Sequence, residues 1–416
     1  MSSTLRIGDA RVVLPTLPDA SVDLVLTSPP FLGLRAYLPT DHELKGHELG
    51  AEADPGTYLD ALLDVIEESA RVLAPHGSIV VELGDSYAGG SAAGTDQLGN
   101  ARYPNGRGMG PAPARTQLVK TRENRPERAQ TLRHGADGGD RVVPVKSGPG
   151  WPLDKSLCLI PSTFAWALAY GRNPWTDRET PRWRVRNLVA WCRPNPPVGN
   201  LSDKYRPATT YLTIATRARD RYFDLDAVRD PAGTPPLDYW EISTQPFAGA
   251  HFATWPERLC ALPLETMTPR AVCLECGAPR RRLVESTRLD AAGAVVSGDW
   301  NRSNYEPGAG YVGDQGANRR ADGAARETVR ETIGWSDCGC GAGWRRGVVL
   351  DPFAGTGTTL RIAEGLGRDS VGIELDARNI ELAVERCGMF VTVDYEHEPP
   401  PARNVETIEL APTLGL

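Results

Sequence analysis

Near the carboxyl end of a 416-residue chain, VVLDPFAGTGTTL (348–360) runs from apolar residues through Asp351-Pro352-Phe353-Ala354-Gly355-Thr356-Gly357 into a helix-forming stretch. Strand, glycine turn and helix in that order belong to an open α/β sheet, where ligands lie outside the carboxyl ends of parallel strands. Glycines in such a turn adopt backbone conformations that other residues resist, and they let a ligand lie against the helix amino terminus. By themselves they are equally the mark of a tight strand-to-helix turn. Glu374 shifts the balance toward a nucleotide or nucleotide-like cofactor. It closes the next apolar run, SVGIEL, 23 residues after Asp351, near the offset of about 20 at which a carboxylate accepts hydrogen bonds from ribose hydroxyls. The third glycine of the dinucleotide pattern and a Gly-Lys-Ser/Thr sequence are both missing here, which disfavours NAD and ATP.

A second loop follows the apolar run 22–26: Thr27-Ser28-Pro29-Pro30-Phe31. Two prolines fix the backbone and present carbonyl acceptors without N–H donors, Ser28 adds an acceptor, and Phe31 offers a stacking face. Such a set suits an exocyclic amine on a flat heterocycle; the alternative is a Pro-Pro turn with a packing phenylalanine. Helical spacing of Leu59, Leu62, Leu63, Ile66, Ala70 and Leu73 predicts a helix over about 57–73, with Thr57-x-x-Asp60 as a capping box and Gly77 as its end. SIVVEL (78–83) then completes a β-α-β unit.

The rest of the chain divides unevenly. Residues 88–150 are rich in Gly, Pro, Ser and Arg without apolar period, and 101–133 carry eight basic residues against two acidic ones, although the whole chain has a formal charge of −7. This insertion reads either as a solvated loop or as a contact for a phosphate backbone. Helix is predicted at Ser162–Tyr170. Strands are predicted at 187–192, 209–216 and 221–225, the last two pairing as a hairpin, and 277–337 lapse again. A helix at about 376–387 precedes a loose tail. The divisions are 1–87, 88–150, 151–262, 263–346, 347–395 and 396–416: sheet, basic insertion, sheet and closing segment, second insertion, cofactor part and tail. No apolar stretch approaches the roughly 18 residues of a membrane span, and no leader pattern opens the chain, so a soluble cytoplasmic protein is expected.

Of eight cysteines, four form close pairs, Cys273-x-x-Cys276 and Cys338-x-Cys340, separated by 61 residues. Four thiolates suit tetrahedral zinc in a structural role, since no position is left for water; free thiols on two turns are the alternative. Cys158, Cys192, Cys260 and Cys387 are expected as core thiols.

TSPPF and DPFAGTGTT, with GSIVVELGDSY (77–87), 185–216, RYFDL, YWEISTQPFAGAHFATWPERL (239–259) and GIELD, resemble in that order the beta class of amino-group DNA methyltransferases that use S-adenosylmethionine. The resemblance implies a doubly wound, mostly parallel seven-stranded methyltransferase sheet with an antiparallel hairpin and permuted motif order, interrupted by the Gly/Arg-rich and zinc-knuckle insertions. It implies that Asp351, Pro352, Phe353, Gly355 and Gly357 line the methionine end of the cofactor, with Thr358 near its carboxylate and Glu374 on the ribose. Asp9 matches the adenine-contacting position, and Phe252 and Thr254 fall in the segment that closes over the cofactor. Ser28, Pro29, Pro30 and Phe31 become the catalytic set, acting on a base flipped from double-stranded DNA. The Ser-Pro-Pro opening favours cytosine N4 over adenine N6. A non-catalytic zinc-ribbon DNA-binding protein, and a methyltransferase of RNA or small molecules, are the rivals. A membrane is not among the expected partners, and a cognate restriction nuclease is left open. The segment 226–238 is short for the family's recognition region, so target reading is expected from the insertions.

Overall fold

The computed structural model describes residues 3–34, 37–39, 41–89, 131–134, 140–143, 146–196, 203–230, 233–244, 255–289, 327–387 and 391–395. None of the described helices is long and apolar enough to cross a membrane. The amino-terminal third contributes β1 (Ser3–Ile7), α1 (Ala10–Val13), β2 (Val22–Thr27), α2 (Pro55–Val72) and β3 (Leu73–Leu83), followed by the ribbon β4 (Thr131–His134) and β5 (Asp140–Val143). The middle contributes α3 (Ile160–Tyr170), β6 (Arg184–Cys192), β7 (Thr209–Thr216), β8 (Tyr239–Glu241) and α4 (Glu257–Met267). The remainder holds β9 (Val272–Cys273), β10 (Arg282–Leu289), β11 (Glu327–Trp335), β12 (Trp344–Arg345), β13 (Val348–Asp351), α5 (Thr358–Gly365), β14 (Asp369–Glu374), α6 (Ala377–Cys387) and β15 (Val391–Tyr395).

One sheet organises these elements, in the order β15-β1-β14-β13-β2-β3-β7-β6-β8. From β15 to β3 every pairing is parallel; β7 runs antiparallel to β3 and to β6, and β8 lies parallel to β6. Among the described residues nine strands replace the seven expected, because short strands form at both margins: three residues of β8 and, after α6, the five of β15. The apolar runs alternate sides as a sheet covered on both faces requires. Val25, Ile79, Val81 and Leu350 pack beneath α2 and α3, whereas Leu24, Leu26, Val80 and Val349 pack beneath α4. Helices on both faces make the sheet doubly wound.

Several local expectations change. The cap of α2 is Asp54, whose carboxylate accepts from the N–H groups of Gly56 and Thr57 at 2.9 and 3.0 Å, with Pro55 at the first helical position. Gly77 lies inside β3, where a Cβ would stand 2.9 Å from the carbonyl oxygen of Asp23. The antiparallel hairpin pairs β6 with β7, leaving Arg221–Leu225 as a tie. There the Tyr222 N–H donates to the His76 carbonyl and that of Asp224 to Thr266, so the two amides reach separate elements and build no ladder. Helix α4 continues past 262, where the sequence reading divides the chain, to Met267. The lapse at 277–337 contains the antiparallel ribbon β10–β11. Most of the segment 88–150, expected as a basic insertion, including its arginines from 102 to 128, and the tail from 396 lie outside the described residues.

Candidate active site

The carboxyl ends of β1, β2, β13 and β14 open into a cleft of about 1160 Å³, counted to its mouth. Each strand delivers residues to the wall: Asp9 after β1, Ser28 and Pro30 after β2, Phe353 and Gly355 after β13, and Glu374 at the end of β14. Pro352 and Thr358 line it too, and Tyr37 and Trp255 close its sides.

Ser28 is the most informative of these. Its hydroxyl donates to Glu82 Oε2 at 2.6 Å. Glu82, on β3, is buried, and burial pushes its carboxyl above the ordinary range despite the bond from Ser28 and the field of Arg193. With its hydrogen committed to Glu82, the Ser28 oxygen has only lone pairs to offer the cleft. The next residues are braced from behind. The Tyr58 hydroxyl, from α2, donates to the Pro30 carbonyl at 2.9 Å, and the Phe31 ring lies so close over Gly84 that a Cβ there would meet it at 2.6 Å. Pro29 is buried, and neither it nor Phe31 lines the cleft. The packing space over Gly84 holds the ring expected to stack on a base.

Elsewhere on the wall, Glu374 joins two segments. Its Oε2 accepts from the Gly355 N–H at 2.7 Å, and its Oε1 accepts from Asp376 N–H at 2.8 Å and Asn379 Nδ2 at 3.2 Å. Burial raises its carboxyl to about 7, against those bonds. Gly355 has φ +53°, and a Cβ added there would meet nothing within 4 Å, so the backbone is bare toward the cleft. Gly357, at φ +75°, plays a different part: a Cβ would reach Ala383 Cβ at 3.1 Å and Cys387 Sγ at 3.2 Å, so its absence lets α5 settle on α6. Asp351 is likewise off the wall. Thr27 and Thr359 each donate a hydroxyl to it at 2.6 Å and Phe353 N–H donates at 3.1 Å, tying β2, β13 and α5 together, while burial raises it to about 6.

Asp9 lines the cleft with both carboxylate oxygens engaged. Oδ1 caps α1 through Arg11 N–H at 2.9 Å, and Oδ2 meets Arg11 Nη2 at 2.7 Å and His47 Nδ1 at 2.9 Å. Although burial opposes it, Arg11 and His47 hold this carboxyl below its usual range. Phe252 and Thr254 lie outside the described residues, as does their neighbour His251. Sequence reasoning missed Glu82 and Tyr58. The signal for Glu82 was an acid inside the otherwise apolar SIVVEL, a placement that burial makes expensive without a purpose.

The four paired cysteines converge, their Sγ atoms all within 4.8 Å of one another. They converge far from the cleft. Cys273 lies on β9, whose partner β12 adjoins the amino ends of β2 and β13, where Arg345 donates to Asp23 at 2.6 Å.

A sequence profile of the DNA methylase family matches residues 22–260 and 344–385. The type II methyltransferase M.SmaI of Serratia marcescens is 23% identical over 391 residues, 92% of this chain and 90% of that protein. M.Cfr9I of Citrobacter freundii is 29% identical over 261 residues, 62% of this chain and 70% of that one. Among solved structures, the PvuII DNA methyltransferase (cytosine-N4-specific) aligns with a TM-score of 0.48 at 14% identity, covering 93% of this chain and 86% of its own. With the profile spanning both the Ser28 loop and the Gly355–Glu374 wall, the chain belongs to the DNA methylase family of amino-group methyltransferases.

Proposed function

We propose that the cleft binds S-adenosylmethionine beside a base flipped out of duplex DNA, and that the protein methylates the exocyclic amine of that base, N4 of cytosine. The observation that carries this reading is that Ser28, whose hydroxyl is held by Glu82, lines the same cleft as Gly355 and Glu374, which are bonded to each other. The lining fits the cofactor: a half-buried carboxylate for vicinal hydroxyls, a bare glycine backbone for close approach, and largely apolar walls. Bound there, S-adenosylmethionine supplies an electrophilic methyl group on sulfonium.

The chain's residues do the rest. An aromatic amine is a poor nucleophile because its lone pair is delocalised into the ring. By accepting an N–H bond, the Ser28 oxygen favours pyramidal nitrogen and stabilises the positive charge that grows as the N–CH₃ bond forms and the S–CH₃ bond breaks. The proton then lost by nitrogen passes to Ser28 as the Ser28 proton passes to Glu82. A carboxylate whose affinity for protons is raised by burial is suited to receive it. Tyr58 and Phe31 hold the loop so that the amine is aligned rather than searched for, an effect worth up to about 7–11 kcal/mol in favourable systems. Type II methyltransferases among the relatives support DNA as the acceptor. The choice of cytosine over adenine rests on the Ser-Pro-Pro opening of the loop.

The test is to incubate the protein with methyl-labelled cofactor and duplex DNA, digest the product to nucleosides and separate them. Label in N4-methyldeoxycytidine is expected. Label in N6-methyldeoxyadenosine would overturn the base assignment alone, and none in DNA, with RNA or a small acceptor labelled instead, would overturn the function.

A further inference from the structure

We propose that Cys273, Cys276, Cys338 and Cys340 bind one zinc ion, and that this ion locks the Arg345–Asp23 contact at the foot of β2, the strand that leads into Ser28. The inference stands whether or not the cleft methylates DNA.

The geometry is that of two knuckles folded toward each other. After Cys276 the chain turns through Gly277 at φ +67°, whose N–H donates to the Cys273 carbonyl at 3.1 Å; after Cys338 and Cys340 it turns through Gly339 and Gly341 at φ +79° and +70°. Zinc–sulfur bonds of about 2.3 Å in a tetrahedron place sulfurs about 3.8 Å apart, so atoms within 4.8 Å need to close by no more than about 1 Å. Three of the four residues are exposed, a poor location for reactive thiols that serve no purpose, and four soft ligands leave no open position.

The scaffold brings the two knuckles together across 61 intervening residues. Trp344 and Arg345 of β12 pair with Cys273 and Val272 of β9, and Gly347 crosses the Pro269 carbonyl so closely that a Cβ would stand 2.1 Å from that oxygen. From β12, Arg345 Nη1 donates to Asp23 Oδ2 at 2.6 Å and Nη2 to Oδ1 at 3.0 Å. His76 Nε2 lies 2.9 Å from Oδ1, and Val348 N–H donates to Oδ2 at 2.8 Å. Asp23 is fully buried, so its charge depends on these partners. A two-residue strand pair is too short to hold Arg345 in place unaided. Zinc closes that pair from outside.

Elemental analysis of protein purified without chelator or added metal should find about one zinc per chain, falling at least fivefold in Cys276→Ser. After removal of the metal in denaturant, eight thiols should titrate. Replacement by cobalt should give the intense visible absorption of a tetrahedral thiolate site. Iron in place of zinc, a disulfide within the quartet, or no metal with all thiols free would each overturn the site. Amide hydrogen exchange at 344–348 should accelerate about tenfold or more when zinc is withdrawn, and Arg345→Met, which spares the cysteines, should accelerate the same amides while keeping zinc. S-adenosylmethionine affinity should change less than twofold in both. Unchanged exchange after zinc loss would overturn the coupling to Asp23.

Discussion

The two ends of strand β2 treat buried acids in opposite ways. At its amino end Asp23 meets Arg345 and His76, which hold its carboxyl below the ordinary range even though burial pulls it upward. Around its carboxyl end Glu82 and Asp351 are buried and Glu374 is half-buried among hydroxyl and N–H groups, with no cation bonded to them among the described residues, and all three are raised. About five residues of extended chain, roughly 17 Å, separate the two regimes. A fold that only needed to stand would pair its buried charges, as the amino end does. Leaving three carboxyls underpaired at one rim is the arrangement expected where a ligand or a migrating proton is to be received.

Substitutions at the two ends should therefore fail in different assays. The largest effect is expected from Ser28→Ala, which should lower methyl-transfer kcat about 10²–10³-fold, as loss of one transition-state acceptor does, while S-adenosylmethionine affinity measured by calorimetry stays within twofold. Glu82→Gln should lower kcat about 10²-fold by removing the proton's destination, again sparing cofactor affinity; equal loss of binding would place both residues on the cofactor side. At the other end, Arg345→Met should spare kcat per folded molecule and reduce unfolding free energy by about 3 kcal/mol, the toll of stranding a buried carboxylate. Denaturant titration would reveal it. Glu374→Ala should weaken cofactor binding by about 1.5–3 kcal/mol, through loss of a charge-assisted acceptor, and leave chemistry at saturating cofactor nearly intact.

The smallest effect is also the sharpest, because the two ends carry opposite signs in pH. Glu374, at about 7 when folded against an ordinary 4.5, is protonated more readily folded than unfolded. Its penalty on stability is absent below about pH 4.5 and complete above 7. Asp23 is lowered from 3.8, so its contribution is present above that value and fades as pH falls through the folded value. Glu374→Gln should accordingly raise Tm relative to the parent at pH 8 and lose that advantage by pH 4.5. Asp23→Asn should lower Tm at pH 8, with the gap narrowing in acid. Parallel pH trends for the two variants would dissolve the contrast.

What the sequence disclosed was whatever its local spacing encodes. The strand, glycine turn and Glu374 lie within 27 residues of one another, and two knuckles announce themselves by cysteine spacing. Partners distant along the chain were silent. Ser28 meets Glu82 across 54 residues and Arg345 meets Asp23 across 322, and nothing in either neighbourhood names the other. The β10–β11 ribbon escaped for another reason. RLVESTRL and ETVRETIGW place Leu283, Val329 and Ile333 in solvent, so the alternation that betrays a half-buried strand never develops. RYFDL misled in the reverse sense, its buried Tyr222 and exposed Phe223 mimicking a strand while its amides reach different elements.

The crossing of Gly347 over the Pro269 carbonyl bears on how such a chain tolerates growth. Because the excursion between them departs and returns through touching residues, the sheet closes over it as though it were a turn of a few residues. Within the excursion Leu289 stands opposite Glu327, a second closed gate. The entropy of joining ends already held together rises only as the logarithm of what lies between, about 0.6 kcal/mol for each doubling. Sequence can therefore be added, shortened or exchanged beyond that second gate while the chemistry at the far rim keeps its alignment.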